Sequence, residues 1–364
     1  MKRLILALSL IAVTVMASAQ IKSDADIQKA IDKAAAAVEK KADNTANWIK
    51  LGQAYIDAFN APQGNGWIGA AESELNLLMS KDKVLGVRQE TVQGMPYTVK
   101  SYESSDYYFD QNGLLSMIKV TKPVVENSLG LALDAYKKAY AVDAKAKKTA
   151  DIVKGIKDIS EKLSNEAINA YSFGDLASAS KLFEQAADAS AVQPFAQLDT
   201  NSLYNAGLTA WMLAGSKQGE EAAPWYQRAQ TLFQKSLDAD YLGDNGEVYA
   251  KLADIADKLG DKDLSKEYLQ KGFAAFPGSQ SIIVGLINYY VNSGEDPNEI
   301  FKLLDLAKAN EPNNASLYYV EGNIRKDLGD EEAALAAYDK CSEINPDYEY
   351  GYVGRGILLY NKAV

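Results

Sequence analysis

Histidine is absent from this sequence of 364 residues, and cysteine occurs once, at Cys341. Catalytic and metal-binding arrangements built on an imidazole are therefore excluded, and one thiol forms neither an internal disulfide nor a cysteine cage around a metal. Proline is scarce, 9 residues beside 25 glycines, and this composition excludes collagen and a disordered chain. Beyond the N-terminus no apolar stretch is long enough to span a bilayer core of about 30 Å as a helix. Positive charge is the minority as well. The 38 Lys and Arg face 49 Asp and Glu, giving a net charge of −11, and such a surface repels phosphate backbones, so no nucleic acid partner is expected. The basic stretch around Lys145, Lys147 and Lys148 reads as a solvated helix face. With 47% hydrophobic residues, the composition is that of a folded globular chain.

The N-terminus carries Lys2 and Arg3, then an apolar run from Leu4 to Met16, then the small triplet Ala17-Ser18-Ala19. This is the pattern of a secretory signal peptide over residues 1–19, with cleavage expected between Ala19 and Gln20. Removing Lys2 and Arg3 leaves 36 basic against 49 acidic residues, a net charge of −13. The mature chain is then expected in the periplasm or outside the cell, with no transmembrane segment.

The C-terminal third repeats itself. Pro277, Pro312 and Pro346 fall 35 and 34 residues apart, and Gly260, Gly294 and Gly329 fall 34 and 35 apart. Between these marks lie paired segments with apolar residues three and four apart, so the unit is helix, glycine turn, helix and a proline-led break. The best whole unit runs from Ala315 to Pro346, with Tyr318, Gly322, Gly329-Asp330, Ala334 and Tyr338. Weaker copies run from Asn245 to Pro277, from Leu203 to Asp240 through Gly207 and Phe233, and from Leu163 to Ala189. Near the N-terminus stands Trp48-x-x-Leu51-Gly52-x-x-Tyr55. Asp24 to Lys41 reads as a helix capped by Ser23 or Asp24, with Ala30, Ala34 and Ala37 on one side.

On these residues the sequence resembles the tetratricopeptide repeat family, over most of residues 24–59 and 127–364. The resemblance implies a mostly α fold, a solenoid in which helix pairs stack as a right-handed superhelix. Gly52, Gly207, Gly322 and Gly356 are expected at close contacts between helices. Residues 20–59 would hold an N-terminal helix and the first repeat helix, and residues 127–364 the array, closed by a helix from Asp347 to Ala363. That last helix serves either as an end cap or as a docking seam for another subunit.

Residues 60–126 interrupt the first repeat, because the second-helix signature appears only at Ala132 and Tyr136. Trp67 to Met79 has helical spacing. Val84–Val92, Tyr97–Tyr102, Tyr107–Asp110 and Leu114–Thr121 are rich in Val, Tyr, Thr and Ile and read as a small antiparallel β-meander, with Asn112-Gly113 suited to the positive φ angles of a tight hairpin. Ile152, Ile156, Ile159, Leu163, Ala167 and Ala170 predict one helix of about 28 residues between Lys145 and Ser172. It would either brace the β unit or widen the superhelix.

The resemblance places a peptide or protein partner on the concave side, lined by the first helix of each pair. Its groove positions fall on Tyr204, Leu208, Trp211, Met212, Asp254, Asp257, Asn288, Asn292, Tyr319, Asn323 and Lys326. Trp67, Tyr102, Tyr107 and Tyr108 supply candidate surface residues on the insertion, although alternation along a strand sends half of its tyrosines into a core. Only Lys326 and Arg355 are available for the family's carboxylate clamp, so a chaperone-tail binder is not expected. Pro62-Gln63-Gly64-Asn65-Gly66 lacks the Lys-Ser/Thr of a phosphate loop, and Asp110 to Gly113 lacks the distal Glu of a calcium loop. No cofactor or enzyme activity is predicted. The expected function is a protein-interaction scaffold, with self-association open; the alternative is a carbohydrate-binding protein using exposed Trp and Tyr platforms such as Trp67 and Trp211.

Overall fold

The computed structural model describes residues 23–79, 82–293 and 298–363. The expected signal peptide and the turn at Gly294 lie outside the described residues. Two compact units share the chain. The first holds the described residues up to Asn165 together with Ser172–Gly174 and Ala189–Gln197; the second holds Glu166–Tyr171, Asp175–Asp188 and the described residues from Leu198 onward.

The first unit opens with α1 (Asp24–Lys40), whose cap is Ser23, its hydroxyl accepting from the Asp26 N–H at 3.2 Å. The buried face is Ile27, Ile31, Ala34 and Val38, so branched residues, and not the alanines at 30 and 37, set which side packs. Helix α2 (Thr45–Asn60) follows, capped by Asn44. The chain then makes a short 3-10 turn, Ala61–Gln63, and helix α3 (Glu72–Leu78). The helix is shorter than the predicted Trp67–Met79 because positive-φ glycines at 64 and 69 break what precedes it.

Strands β1 (Gly86–Val92), β2 (Met95–Ser101), β3 (Ser105–Phe109) and β4 (Leu115–Val120) form an antiparallel sheet in the order β1-β2-β3-β4. The turn with two positive φ angles is Gln93-Gly94, at 50° and 80°. At the predicted Asn112-Gly113 turn only Gly113 is positive, at 74°. There the Asp110 carboxylate accepts from the N–H groups of Asn112 and Leu114, both at 2.9 Å, and builds a longer turn.

After the sheet comes α4 (Ser128–Ala141), and it packs on α2, so the two halves of the interrupted pair meet across the insertion. Helix α5 (Thr149–Ser172) has 24 residues, fewer than predicted. Its start is delayed because Ala146 has positive φ and Asp143 draws the N–H groups of Lys147 and Lys148 into a turn. At the far end of α5, Phe173 meets the Tyr108 ring edge-on at 5.0 Å, and Gln93 Nε2 donates to the Ser172 carbonyl at 2.9 Å. Of the two roles open to this helix, bracing the sheet is the one observed.

The remaining helices are α6 (Leu176–Ser190), α7 (Thr200–Ser216), α8 (Ala223–Asp238), α9 (Glu247–Lys258), α10 (Lys262–Ala275), α11 (Gln280–Ser293), α12 (Asn298–Asn310), α13 (Ala315–Asp327), α14 (Glu331–Ile344) and α15 (Tyr350–Ala363). Each of Pro277, Pro312 and Pro346 stands two residues past the end of a helix, where a missing N–H and a fixed φ prevent continuation. The glycine turns share one mechanism. Gly260 and Gly329 take φ of 87° and 77°, and the following Asp261 and Asp330 cap the next helix by accepting from Leu264 N–H at 3.0 Å and Ala333 N–H at 3.3 Å.

A glycine beneath an aromatic ring marks the close approach in three helix pairs, α2 with α4, α7 with α8 and α13 with α14. A methyl added at Gly52 would lie 2.7 Å from Tyr136, one at Gly207 3.1 Å from Phe233, and one at Gly322 2.5 Å from Tyr338. Gly356 departs from the expectation, with nothing within 4 Å. Helix α15 instead approaches α14 through Gly354, where a methyl would lie 2.6 Å from Tyr338, and Gly351, where it would meet Ser342 at 2.6 Å. The face buried by α15 is Gly351, Gly354 and Leu358, opposite Gly356 on a 3.6-residue turn.

Candidate functional site

On the first helices of the pairs in the second unit, Tyr204 begins a connected run of side chains. Its ring lies in the core between Phe233 and Tyr241, at centroid distances of 5.5 and 5.6 Å, and it is 7% exposed. It is therefore core and not groove, because α7 turns this position toward α8. Burial and the neighbouring Glu247 carboxylate push its hydroxyl well above the ordinary tyrosine value, which keeps it a donor, 3.0 Å from Glu247 Oε2. Glu247 pairs with Lys251 at 4.0 Å, Lys251 Nζ sits 3.6 Å from the centre of the Trp211 ring, and Trp211 Nε1 donates to Asp254 Oδ2 at 2.6 Å. Trp211 and Asp254 are thus brought together, but they are spent on joining α7 to α9. Leu208 packs against the same core, and Met212 is half-buried beside it in sequence.

Farther along, Asp257 and Asn288 are exposed, and Asn292 lies on α11. On α13, Asn323 accepts from the Tyr338 hydroxyl at 2.8 Å, and Lys326 is paired with Asp327 at 3.2 Å. Tyr319 stands in an aromatic group with Tyr348 and Tyr350, at centroid distances of 6.4 and 5.6 Å. Gln280 Nε2 donates to the Tyr348 hydroxyl at 3.1 Å, so α11 and the α14–α15 connection meet at this group. Tyr350 is exposed, while Tyr319 and Tyr348 are half-buried. The sequence reading missed Tyr348 and Tyr350; the run Tyr348-Glu349-Tyr350-Gly351-Tyr352 directly after the Pro346 break was the available signal.

In the first unit the insertion residues divide. Tyr107 and Tyr108 are 0% and 1% exposed, which corrects their placement on the surface: β3 is covered on both faces, so alternation leaves neither outside. Tyr107 packs with Leu75, Met79, Phe109 and Leu115, whereas Tyr108 packs with Val99 and Met117 on the other face. Tyr107 donates to the Gln63 carbonyl and accepts from Gly66 N–H at 3.1 Å. The glycine-rich turn that fails as a phosphate loop is therefore a strap over this ring. Trp67 and Tyr102 lean on the same core and are half-buried. With Trp67 against the sheet and Trp211 covered by Lys251, neither tryptophan is an open platform for a sugar. Tyr102 borders a cleft of 810 Å³ lined also by Asp24, Pro62, Asp82, Lys83, Glu103 and Lys122, where Lys122 lies 3.8 Å from Asp24 and 3.9 Å from Glu103.

A second polar cluster joins β1, β2 and β3. Arg88 donates to Asp106 at 2.9 Å, Glu90 at 3.0 Å and Ser101 at 2.8 Å. Burial works against the charged Asp106, but the hydrogen bonds from Arg88 and Ser101 outweigh it and hold this carboxyl below the ordinary range. Cys341 is buried on α14, and burial pushes its thiol up, away from the thiolate a nucleophile needs. Among the described residues no helix is long and apolar enough to cross a membrane.

Consecutive helix pairs, three of them closed by an aromatic ring over a glycine, define an α-helical repeat fold carrying a small antiparallel sheet. Two of the repeats, residues 246–277 and 315–348, match the model of the tetratricopeptide repeat family. A TPR repeat-containing protein of Methanocaldococcus jannaschii is 47% identical over 51 residues, which are 14% of this chain and 9% of that protein. Among solved structures, YrrB, a TPR protein with an unusual peptide-binding site, aligns at 19% identity and a TM-score of 0.36, over 64% of this chain and 100% of that one. MamA AMB-1 aligns at 21% identity and a TM-score of 0.33, over 52% of this chain and 92% of that one.

Proposed function

We propose that this protein is a non-catalytic scaffold of the cell envelope that holds a peptide or protein partner on the first-helix face of its second unit, at the Tyr319, Tyr348 and Tyr350 group. The observation that carries the reading is the state of the polar side chains around it. Trp211, Asp254, Tyr204 and Lys326 are already engaged with neighbours in the chain, whereas the ring of Tyr350 is open to solvent and is held in place by the half-buried Tyr319 and by Tyr348, which Gln280 fixes. Tyrosines with an apolar ring and a polar tip, fixed against one another, present contact area with little loss of side-chain freedom. The envelope location rests on Lys2, Arg3, the apolar run to Met16 and Ala17-Ser18-Ala19.

The test is capture of partners from envelope extract on the immobilised full chain, then titration of the captured partner in purified form. Tyr350→Ala is expected to weaken binding by about tenfold, the effect of removing an interface aromatic, while Asp257→Asn changes it little. Equal binding by both variants would refute the placement, and recovery of the chain with residues 1–19 intact from the cytoplasm would refute the location.

A further inference from the structure

Helix α15 is the last described helix, and its residues keep the register of a first repeat helix. Tyr352, Gly356 and Leu359 lie 34 residues beyond Tyr318, Gly322 and Arg325, so Gly356 occupies the repeat position that in α13 receives Tyr338. At Gly52, Gly207 and Gly322 an aromatic ring from the paired helix fills that seat; at Gly356 nothing approaches within 4 Å. The surface around it is apolar: Tyr352 is 53% exposed, Val353 49%, Ile357 51%, Leu359 41% and Tyr360 70%. A repeat helix that leaves this side to water keeps a contiguous apolar surface exposed, which marks an interaction face.

We infer that this face docks on a second copy of the same chain, α15 against α15, antiparallel, with a two-fold axis at Gly356. Three features of the helix support that occupant. The sequence is palindromic in character about Gly356. Tyr352 and Tyr360 stand four residues to either side, and Val353 and Leu359 three, so reversal of the helix places tyrosine opposite tyrosine and aliphatic opposite aliphatic, as an isologous interface requires. The glycine at the centre lets the two backbones approach and leaves room for the rings of the other copy. Charge does not oppose the contact: both cations of α15 are directed to α14, Arg355 to Asp339 at 2.8 Å and Lys362 to Glu331 at 3.2 Å. The Gly356 side is thus uncharged in a chain that otherwise repels its copies. The five residues expose on the order of 500 Å² per copy, so two copies bury about 1,000 Å², the lower bound of a specific interface. A concentration-dependent dimer is the expected form. The inference does not depend on which partner the tyrosine group of α13 takes.

Sedimentation velocity of the purified full chain over a wide concentration range tests it. The expected result is a monomer–dimer equilibrium weakened by about tenfold or more in Tyr352→Lys and in Gly356→Phe, with unchanged far-ultraviolet dichroism. At Gly356 an added Cβ meets no atom of the described residues within 4 Å, and the unchanged dichroism is the check that the larger ring leaves the fold intact. In a third variant, Gly356→Cys, oxidation is expected to link two copies covalently, since the axis brings these positions to the distance of about 7 Å or less that a disulfide needs; buried Cys341 leaves the unsubstituted chain unlinked. A chain that stays monomeric at every concentration would overturn the inference and leave the seat to a helix of another protein. So would a dimer indifferent to both substitutions, or one in which Gly356→Cys fails to cross-link.

Discussion

One substitution placed at two equivalent repeat positions should act with opposite sign. Gly322 and Gly356 lie 34 residues apart on first helices, and replacing helical glycine by alanine stabilises a helix by about 1 kcal/mol. At Gly356 that gain is undiluted, because the new methyl meets nothing within 4 Å. At Gly322 the same methyl arrives 2.5 and 2.6 Å from two carbons of the Tyr338 ring. That ring cannot retreat, since it is fully buried, lies against Gly354 on its other side and is tethered by its hydroxyl to Asn323. Overpacking of this kind costs about 2–3 kcal/mol. Gly322→Ala is therefore expected to lower stability by about 1–2 kcal/mol while Gly356→Ala raises it by about 1 kcal/mol. Urea unfolding followed by dichroism at 222 nm, a standard helix signal, measures both, at a concentration where the chain is monomeric. The slopes must stay unchanged for the midpoints to be read as stability. Shifts of the same sign and size at the two positions would refute the argument that the ring on the glycine defines the pair.

Two further outcomes follow from the first unit. Tyr107→Phe removes the hydroxyl shared by the Gln63 carbonyl and Gly66 N–H and should cost about 1–2 kcal/mol in urea unfolding, with a loss of protection at Gly66 in hydrogen exchange; unchanged exchange there would contradict the strap. For Asp106 the folded carboxyl lies below its unfolded value, so its contribution is complete above the unfolded range near pH 4 and is lost as pH falls through the folded value. The acid limb of the stability profile should accordingly be shallower in Asp106→Asn than in the unsubstituted chain, and parallel limbs would show that the Arg88 pair does not set it.

The sequence by itself determined the local grammar. Glycine followed by aspartate stops one helix and caps the next through φ and a carboxylate, and proline two residues past a helix ends it by lacking an N–H; both effects act within a few residues, so spacing reveals them. The four strands were legible for the same reason, because a β-rich alternation between turn residues is a local signal. What only the tertiary structure decided is which side of each element faces another. Tyr107 and Tyr108 point to opposite faces, as alternation demands, yet both are buried, since Leu75 and Met79 cover one face and Phe173 reaches the other from 65 residues away. Trp211 carries the groove position in its spacing, but Lys251 and Asp254 from α9 occupy its ring and its N–H. At Gly356 the repeat register is present, and among the described residues no ring approaches it. A repeat motif specifies a seat through the residues beside it, whereas filling that seat depends on a second segment at a distance, and this is a property of packing in three dimensions.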